Sequence, residues 1–163
     1  MLTVRRIRQG ESKLYKKLRL KSLRDSPGAF GSTYESALKR IPESWTEQAD
    51  GSSRGSDRAT LLAFVDDRPA GLAALYRLDS PADAGELVQV WVPPEFRRQG
   101  VAVALMDNIF IWATKNNFRA IAAGIMAGNA GAMNFYQNYG FTPETGIVLN
   151  CPGDAAVLIK DVI

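Results

Sequence analysis

The chain has 163 residues, with 20 basic side chains scattered among 17 acidic ones for a net charge of +3, so neither nucleic acid nor a membrane surface is an expected partner. It holds no histidine and a single cysteine, Cys151, which excludes a Ser/His/Asp triad, a Cys/His pair, a His-ligated metal and an internal disulfide. No run approaches the roughly 20 apolar residues of a membrane span and MLTVRRIRQGE has no apolar signal core, so one cytoplasmic, metal-free domain over residues 1–163 is expected.

LTVRRIR alternates apolar and basic residues as a strand does, and ESKLYKKLRLKSL sets Leu14 and Leu18 four apart on an amphipathic helix. DSPGAFG breaks that helix. In STYESALKRI, Ser32 stands three residues before Glu35, which predicts a capping box and a second helix; Pro42 then opens a turn containing Trp45. GSSRG, residues 51–55, matches the G-x-S-x-G pattern of a nucleophile elbow. It lies in the polar run ADGSSRGSDR, with no strand before it and no histidine in the chain to serve as its base, and is expected to be a mobile loop.

ATLLAFVDD and PAGLAALYRL, parted by Asp66, Asp67, Arg68 and Pro69, predict an antiparallel hairpin. After the loop SPADAG, ELVQVWV predicts a strand with Val88, Val90 and Val92 on one face, ended by Pro93 and Pro94, which have no N–H for a ladder. From Gly100, the residues Val101, Leu105, Ile109 and Trp112 recur at spacings of 4, 4 and 3, a buried helix stripe. RAIAAGIMA is a strand of small residues. In NAGAMNFYQNYGF, Ala132, Phe135, Tyr136 and Tyr139 fall at helical spacing, between Asn129 as N-cap and Gly140 as C-terminal stop. GIVLN and AAVLIKDV predict two closing strands. The order is that of an α/β layered domain with a largely antiparallel sheet.

PPEFRRQGVAVAL, residues 93–105, joins that strand to the helix with the buried stripe. A helix start leaves N–H groups unpaired and carries about half a positive charge, so a phosphate is stabilised there. Gly100 lets the phosphate approach the backbone, Ala102 is nearly as small, and Arg97 and Arg98 add charge. Neither G-x-x-x-x-G-K-[ST] nor G-x-G-x-x-G occurs, so this is not a Walker or Rossmann loop.

At these residues the sequence resembles the Gcn5-related N-acetyltransferase (GNAT) superfamily. Its signature [QR]-x-x-G-x-[GA] is met by Arg97, Gly100 and Ala102, the last in place of the commoner glycine. The recurrent pattern N-x-x-A-x-x-x-Y-x-x-x-G-F follows as Asn129, Ala132, Tyr136, Gly140 and Phe141, and DSPGAFGSTYES is similar to the region linking two helices in many members. The resemblance implies a single-domain α/β fold, a mixed and mostly antiparallel central sheet flanked by helices, with acetyl-CoA as co-substrate and no metal. It implies that the backbones of Val90, Trp91 and Val92 meet the pantetheine arm, that Arg97, Arg98, Gln99, Gly100, Val101, Ala102 and Val103 hold the pyrophosphate, and that Asn129 and Tyr136 contact the ligand from one helix face.

Acetyl transfer needs a deprotonated amine, an oxyanion donor and a proton for the leaving thiolate. The resemblance assigns the last task to Tyr136, whose phenol is protonated at neutral pH. Glu86, at the start of the strand entering the site, is the candidate general base, with a solvated strand-end charge as its plainer reading. Tyr34 and Glu35 either line an acceptor pocket or serve packing and capping. Ala122, Ala123 and Gly124 either leave the cleft roomy or pack tightly, and Cys151 is expected to be structural. The expected activity is acetyl transfer from acetyl-CoA to a primary amine. A non-catalytic acyl-CoA-binding module and a transferase for another acyl group are the alternatives. The sequence leaves open which amine accepts, and although homodimers are common in such folds nothing here specifies one.

Overall fold

The computed structural model describes residues 1–27 and 29–163; Gly28, inside the expected DSPGAFG break, lies outside the described residues. The chain runs β1 (Leu2–Arg6), α1 (Ser12–Asp25), α2 (Tyr34–Leu38), α3 (Pro42–Gly51), β2 (Arg58–Val65), β3 (Arg68–Arg77), β4 (Ala84–Trp91), a 3₁₀ turn (Pro94–Phe96), α4 (Val101–Lys115), β5 (Ala120–Ile125), α5 (Ala130–Tyr139), β6 (Thr142–Pro143) and β7 (Ala156–Asp161). Seven strands form one sheet in the order β1-β2-β3-β4-β5-β7-β6. Among the described residues β4 and β5 alone run parallel. The expected mixed, mostly antiparallel sheet flanked by helices is the fold observed.

The sheet separates two cores. Leu62, Leu72 and Trp91 face Tyr15, Leu18, Leu23 and Trp45 of α1 and α3, while Leu61, Leu75, Leu87 and Ile121 face Val101, Leu105 and Ile109 of α4, with Tyr136 of α5 in the same cluster. β2 and β3 are therefore covered on both faces, which is why they read as near-continuous apolar runs. The hairpin turn needs only Asp66 and Asp67, at φ 49° and 66°, the paired positive values of a type I′ turn; Arg68 and Pro69 already belong to β3.

Other local expectations change: Pro42 opens the ten-residue helix α3 instead of a turn around Trp45. The capping box lies one residue later: Thr33 Oγ1 accepts from the Ser36 N–H at 3.1 Å and Ser36 Oγ accepts from the Thr33 N–H at 3.3 Å, leaving Glu35 in the first turn. GSSRG begins inside α3, and its Ser52 is fully buried, with its carbonyl accepting from Arg6 Nε at 3.0 Å; the loop is confined to residues 53–57. Val88 does not share a face with Val90 and Val92, because Gln89 takes φ 59° and the β3–β4 register slips there. GIVLN is not a strand. β7 is already flanked by β5 and the two-residue β6, so no edge remains for it; Val148 is 90% exposed while Leu149 turns into the protein near Gly124.

Candidate active site

The site is a consequence of how β4 and β5 part. They pair from Ala84–Ala120 to Leu87–Ala123 and no further. At the point of separation the bulge at Gln89 re-aims β4. Beyond it the strand's outer edge keeps backbone polar groups that no neighbouring strand satisfies, the kind of edge to which an extended ligand adds. The opening is a cavity of about 580 Å³.

Glu86 and Val90 of β4, Gly124 and Ile125 of β5, and Asn129, Ala132 and Tyr136 of α5 all line this cavity. Of the residues singled out in the sequence, Glu86, Val90, Asn129 and Tyr136 are thus brought together. Asn129 caps α5, its Oδ1 accepting from the Ala132 N–H at 3.1 Å, which leaves Nδ2 as its free donor. Tyr136 is held edge-to-face by Phe135 at 5.5 Å and Phe141 at 5.3 Å, and burial pushes its phenol pKa up. Glu86 is half-buried; desolvation raises its carboxyl pKa, with a smaller opposing effect from the Asn150 N–H.

Trp91 and Val92 do not line the cavity. The Trp91 ring is buried against α1, its Nε1 donating to Asp25 Oδ2 at 2.9 Å. Arg97 also turns to Asp25, at 2.6 Å from Nη2, and its Nε donates to the Val92 carbonyl at 2.8 Å. Those bonds, Trp91 first, hold the Asp25 carboxyl below its ordinary range. Asp25 therefore ties the end of α1 to the loop before α4, and the Arg97 side chain positions that loop instead of standing free for an anion. The loop is shaped by positive φ at Arg98 (62°) and Gly100 (82°), and Arg98, Gln99 and Gly100 are exposed. At the start of α4 Val101 is buried, Ala102 partly covered and Val103 exposed, so what this turn presents is backbone N–H. A methyl group on Gly100 would meet no protein atom within 4 Å, but at φ 82° any side chain is strained.

Tyr34 packs against the α1–α3 core and Glu35 is exposed; neither lines the cavity, whereas Phe30, Gly31 and Ser32 of the preceding loop do. The small β5 residues divide. Ala122 and Ala123 are buried in the sheet, while an added Cβ on Gly124 would sit 3.0 Å from Cys151 Sγ. Asn150, from the segment expected to be a strand, and Cys151, next to it, reach the cavity on one loop, and Arg19, Tyr76 and Gln89 reach it from α1, β3 and the bulge. Only Arg19 carries a sequence signal: it interrupts the buried stripe Tyr15, Leu18, Ser22 and Leu23. Among the described residues no cluster of three or more Cys, Asp or Glu is placed to hold a metal, and no helix is long and apolar enough to cross a membrane.

Comparison with known proteins adds three observations. The model of the acetyltransferase (GNAT) family matches residues 23–141. The chain is 26% identical over 101 residues to the ribosomal protein bS18-alanine N-acetyltransferase of Escherichia coli, covering 62% of this chain and 66% of that one; a 59-residue match at 30% identity to an uncharacterised N-acetyltransferase of Methanocaldococcus jannaschii covers 36% of this chain and 26% of that protein. In structure it is similar to the PaiA N-acetyltransferase of Thermoplasma acidophilum in complex with coenzyme A, with a TM-score of 0.76, 17% identity and 99% of both chains covered.

Proposed function

The chain belongs to the acetyltransferase (GNAT) family, and from that membership we propose that it transfers acetyl from acetyl-CoA directly to a primary amine seated beside Glu86. The observation that carries this reading is the meeting, in one cavity, of a buried phenol, a half-buried carboxylate and a strand edge released from its neighbour. Pantetheine lies along that edge near Val90, and the pyrophosphate rests on the N–H groups from Arg98 to Val103. Glu86 takes one proton from the acceptor ammonium, the free amine attacks the thioester carbonyl, and a backbone N–H of the strand edge stabilises the oxyanion; the C–S bond then breaks as Tyr136 protonates the departing thiolate, and the second proton of the attacking nitrogen returns through solvent to the Tyr136 phenolate. The products are an amide and CoA. The cytoplasmic address and the span 1–163 for the catalytic domain belong to the same proposal.

Acetyl-CoA and CoA should each raise the melting temperature, free adenosine far less, because a ligand bound to the native state alone stabilises it. Thiol release should then appear with at least one member of an amine panel. Absence of any shift and of any calorimetric heat at saturating acetyl-CoA removes the proposal; a shift with no thiol release from any amine leaves a non-catalytic CoA-binding module in its place.

Cys151 provides a check on direct transfer. Burial, and the Glu86 charge after it, push its thiol pKa up, so it is a neutral and weak nucleophile despite lining the cavity. Cys151→Ala should keep turnover per folded molecule. Trapping an acetyl-cysteine on the reaction path by mass spectrometry would replace direct transfer with a two-step route.

A further inference from the structure

Arg19 is 6% exposed, yet it lines two adjoining spaces: the active-site cavity and a recess of about 160 Å³. Nη1 donates to Ser22 Oγ at 3.1 Å and the guanidinium lies over Phe30 at 4.7 Å. Among the described residues none of the ion pairs includes it. Arg40 also lines the recess, bonded to Ser44 and Gln48 and again without an acid. Among the described residues no carboxylate lines that recess, and the larger cavity is lined by one, Glu86. Trp45, whose indole N–H is buried without a partner, and Gln89, displaced by the bulge, complete a polar wall.

A buried guanidinium with no counter-charge is unfavourable for the fold by itself, and a second one facing the same space adds repulsion. Burial lowers the pKa of Arg19, and the charge of Arg40 lowers it further, while Tyr15 and Tyr76 oppose both. Such an arrangement becomes favourable when an anion arrives, since guanidinium binds a carboxylate through paired N–H donors. We propose that this corner is the acceptor's anion subsite: the amine acetylated here also carries a compact oxyanion, the carboxylate of an amino-acid-like molecule, which pairs with Arg19 while its amino group faces Glu86. The inference rests on the acetyl-transfer reading. Polyamines would place further positive charge beside Arg19 and Arg40, and the site selects against them.

The test uses product-like probes on the CoA-loaded protein and needs no turnover. N-acetylglycine, N-acetylalanine, N-acetylmethionine and N-acetylglutamate are titrated calorimetrically beside their carboxamides, with N-acetylated aminomethylphosphonate as the phosphorus analogue. At least one acid should bind tenfold or more tightly than its amide. Arg19→Gln should erase the difference with CoA affinity unchanged, and Arg19→Lys should restore part of it. The apo Arg19→Gln and Arg19→Met proteins should melt at or above the wild-type temperature, because an uncompensated charge is gone; an arginine kept only for packing would make both melt lower. Equal binding of acids and amides, no binding of either, or an acid preference that survives Arg19→Gln overturns the subsite. A phosphonate that outbinds every carboxylate overturns the carboxylate assignment. Loss of CoA binding sinks the acetyl-transfer reading instead, whereas intact CoA binding with indifference to acids sinks this inference alone.

Discussion

Tyr136→Phe should turn over roughly 100-fold more slowly, or worse, with acetyl-CoA affinity nearly unchanged, which is the scale for losing a positioned general acid. The substitution is well isolated. Phe135 and Phe141 grip the ring edge-to-face, and phenylalanine keeps those contacts, so only the proton is lost. At 8% exposure the phenol is held above its ordinary pKa and stays protonated at any pH the enzyme meets. Burial also raises the pKa of the Cys151 thiol on the same wall, and a thiolate released there from CoA would likewise gain from a proton donor. The other phenol on this helix face, Tyr139, already donates to Asp107 at 2.6 Å. The loss should shrink with a CoA analogue whose thiol is more acidic. Turnover, CoA affinity and melting temperature measured on one Tyr136→Phe preparation decide the matter: normal turnover in a folded, CoA-binding protein excludes the hydroxyl from the chemistry.

What the sequence made legible was what periodicity and caps encode locally. The stripe Val101, Leu105 and Ile109, the N-cap at Asn129 and the stop at Gly140 all stand where spacing put them. The bulge at Gln89 was not legible, because ELVQVWV alternates without a flaw and a positive φ on glutamine leaves no mark in composition; yet the bulge decides that Val90 and Val92, without Val88, share the α4 side. GIVLN has strand residues, but both edges of β7 are already taken by β5 and β6, a long-range fact with no mark in the segment itself, and its reading as a strand concealed that Asn150 sits against Glu86 on the cavity wall. Arg97 stood in the expected motif, but its actual partner, Asp25, lies 72 residues away in sequence. Arg19 was visible in principle, since a charge on a buried helix stripe needs a partner from elsewhere.

Glu86→Gln should lower kcat/KM by about 100-fold or more near neutral pH, the range for removing a general base. Two further observables separate a base from a solvated strand-end charge. The first is the pH profile. Desolvation raises the Glu86 pKa above its ordinary 4.5, so the acid limb of wild-type kcat/KM should fall at a higher pH than an exposed glutamate would give. Glutamine removes that limb, and the variant's rate should climb with pH as the acceptor amine loses its proton to solvent, narrowing the gap in alkaline solution. The second is stability. A carboxyl pKa raised by folding means that the charged form is disfavoured in the native state; the cost is present above the folded pKa and disappears below the unfolded one. Glutamine keeps the size and shape of the side chain while carrying no charge, so Glu86→Gln should melt higher than wild type at neutral pH and no higher once the pH is below about 4, where both forms are neutral. A variant that turns over normally at neutral pH without gaining stability would return Glu86 to an ordinary surface charge and require another base for the amine.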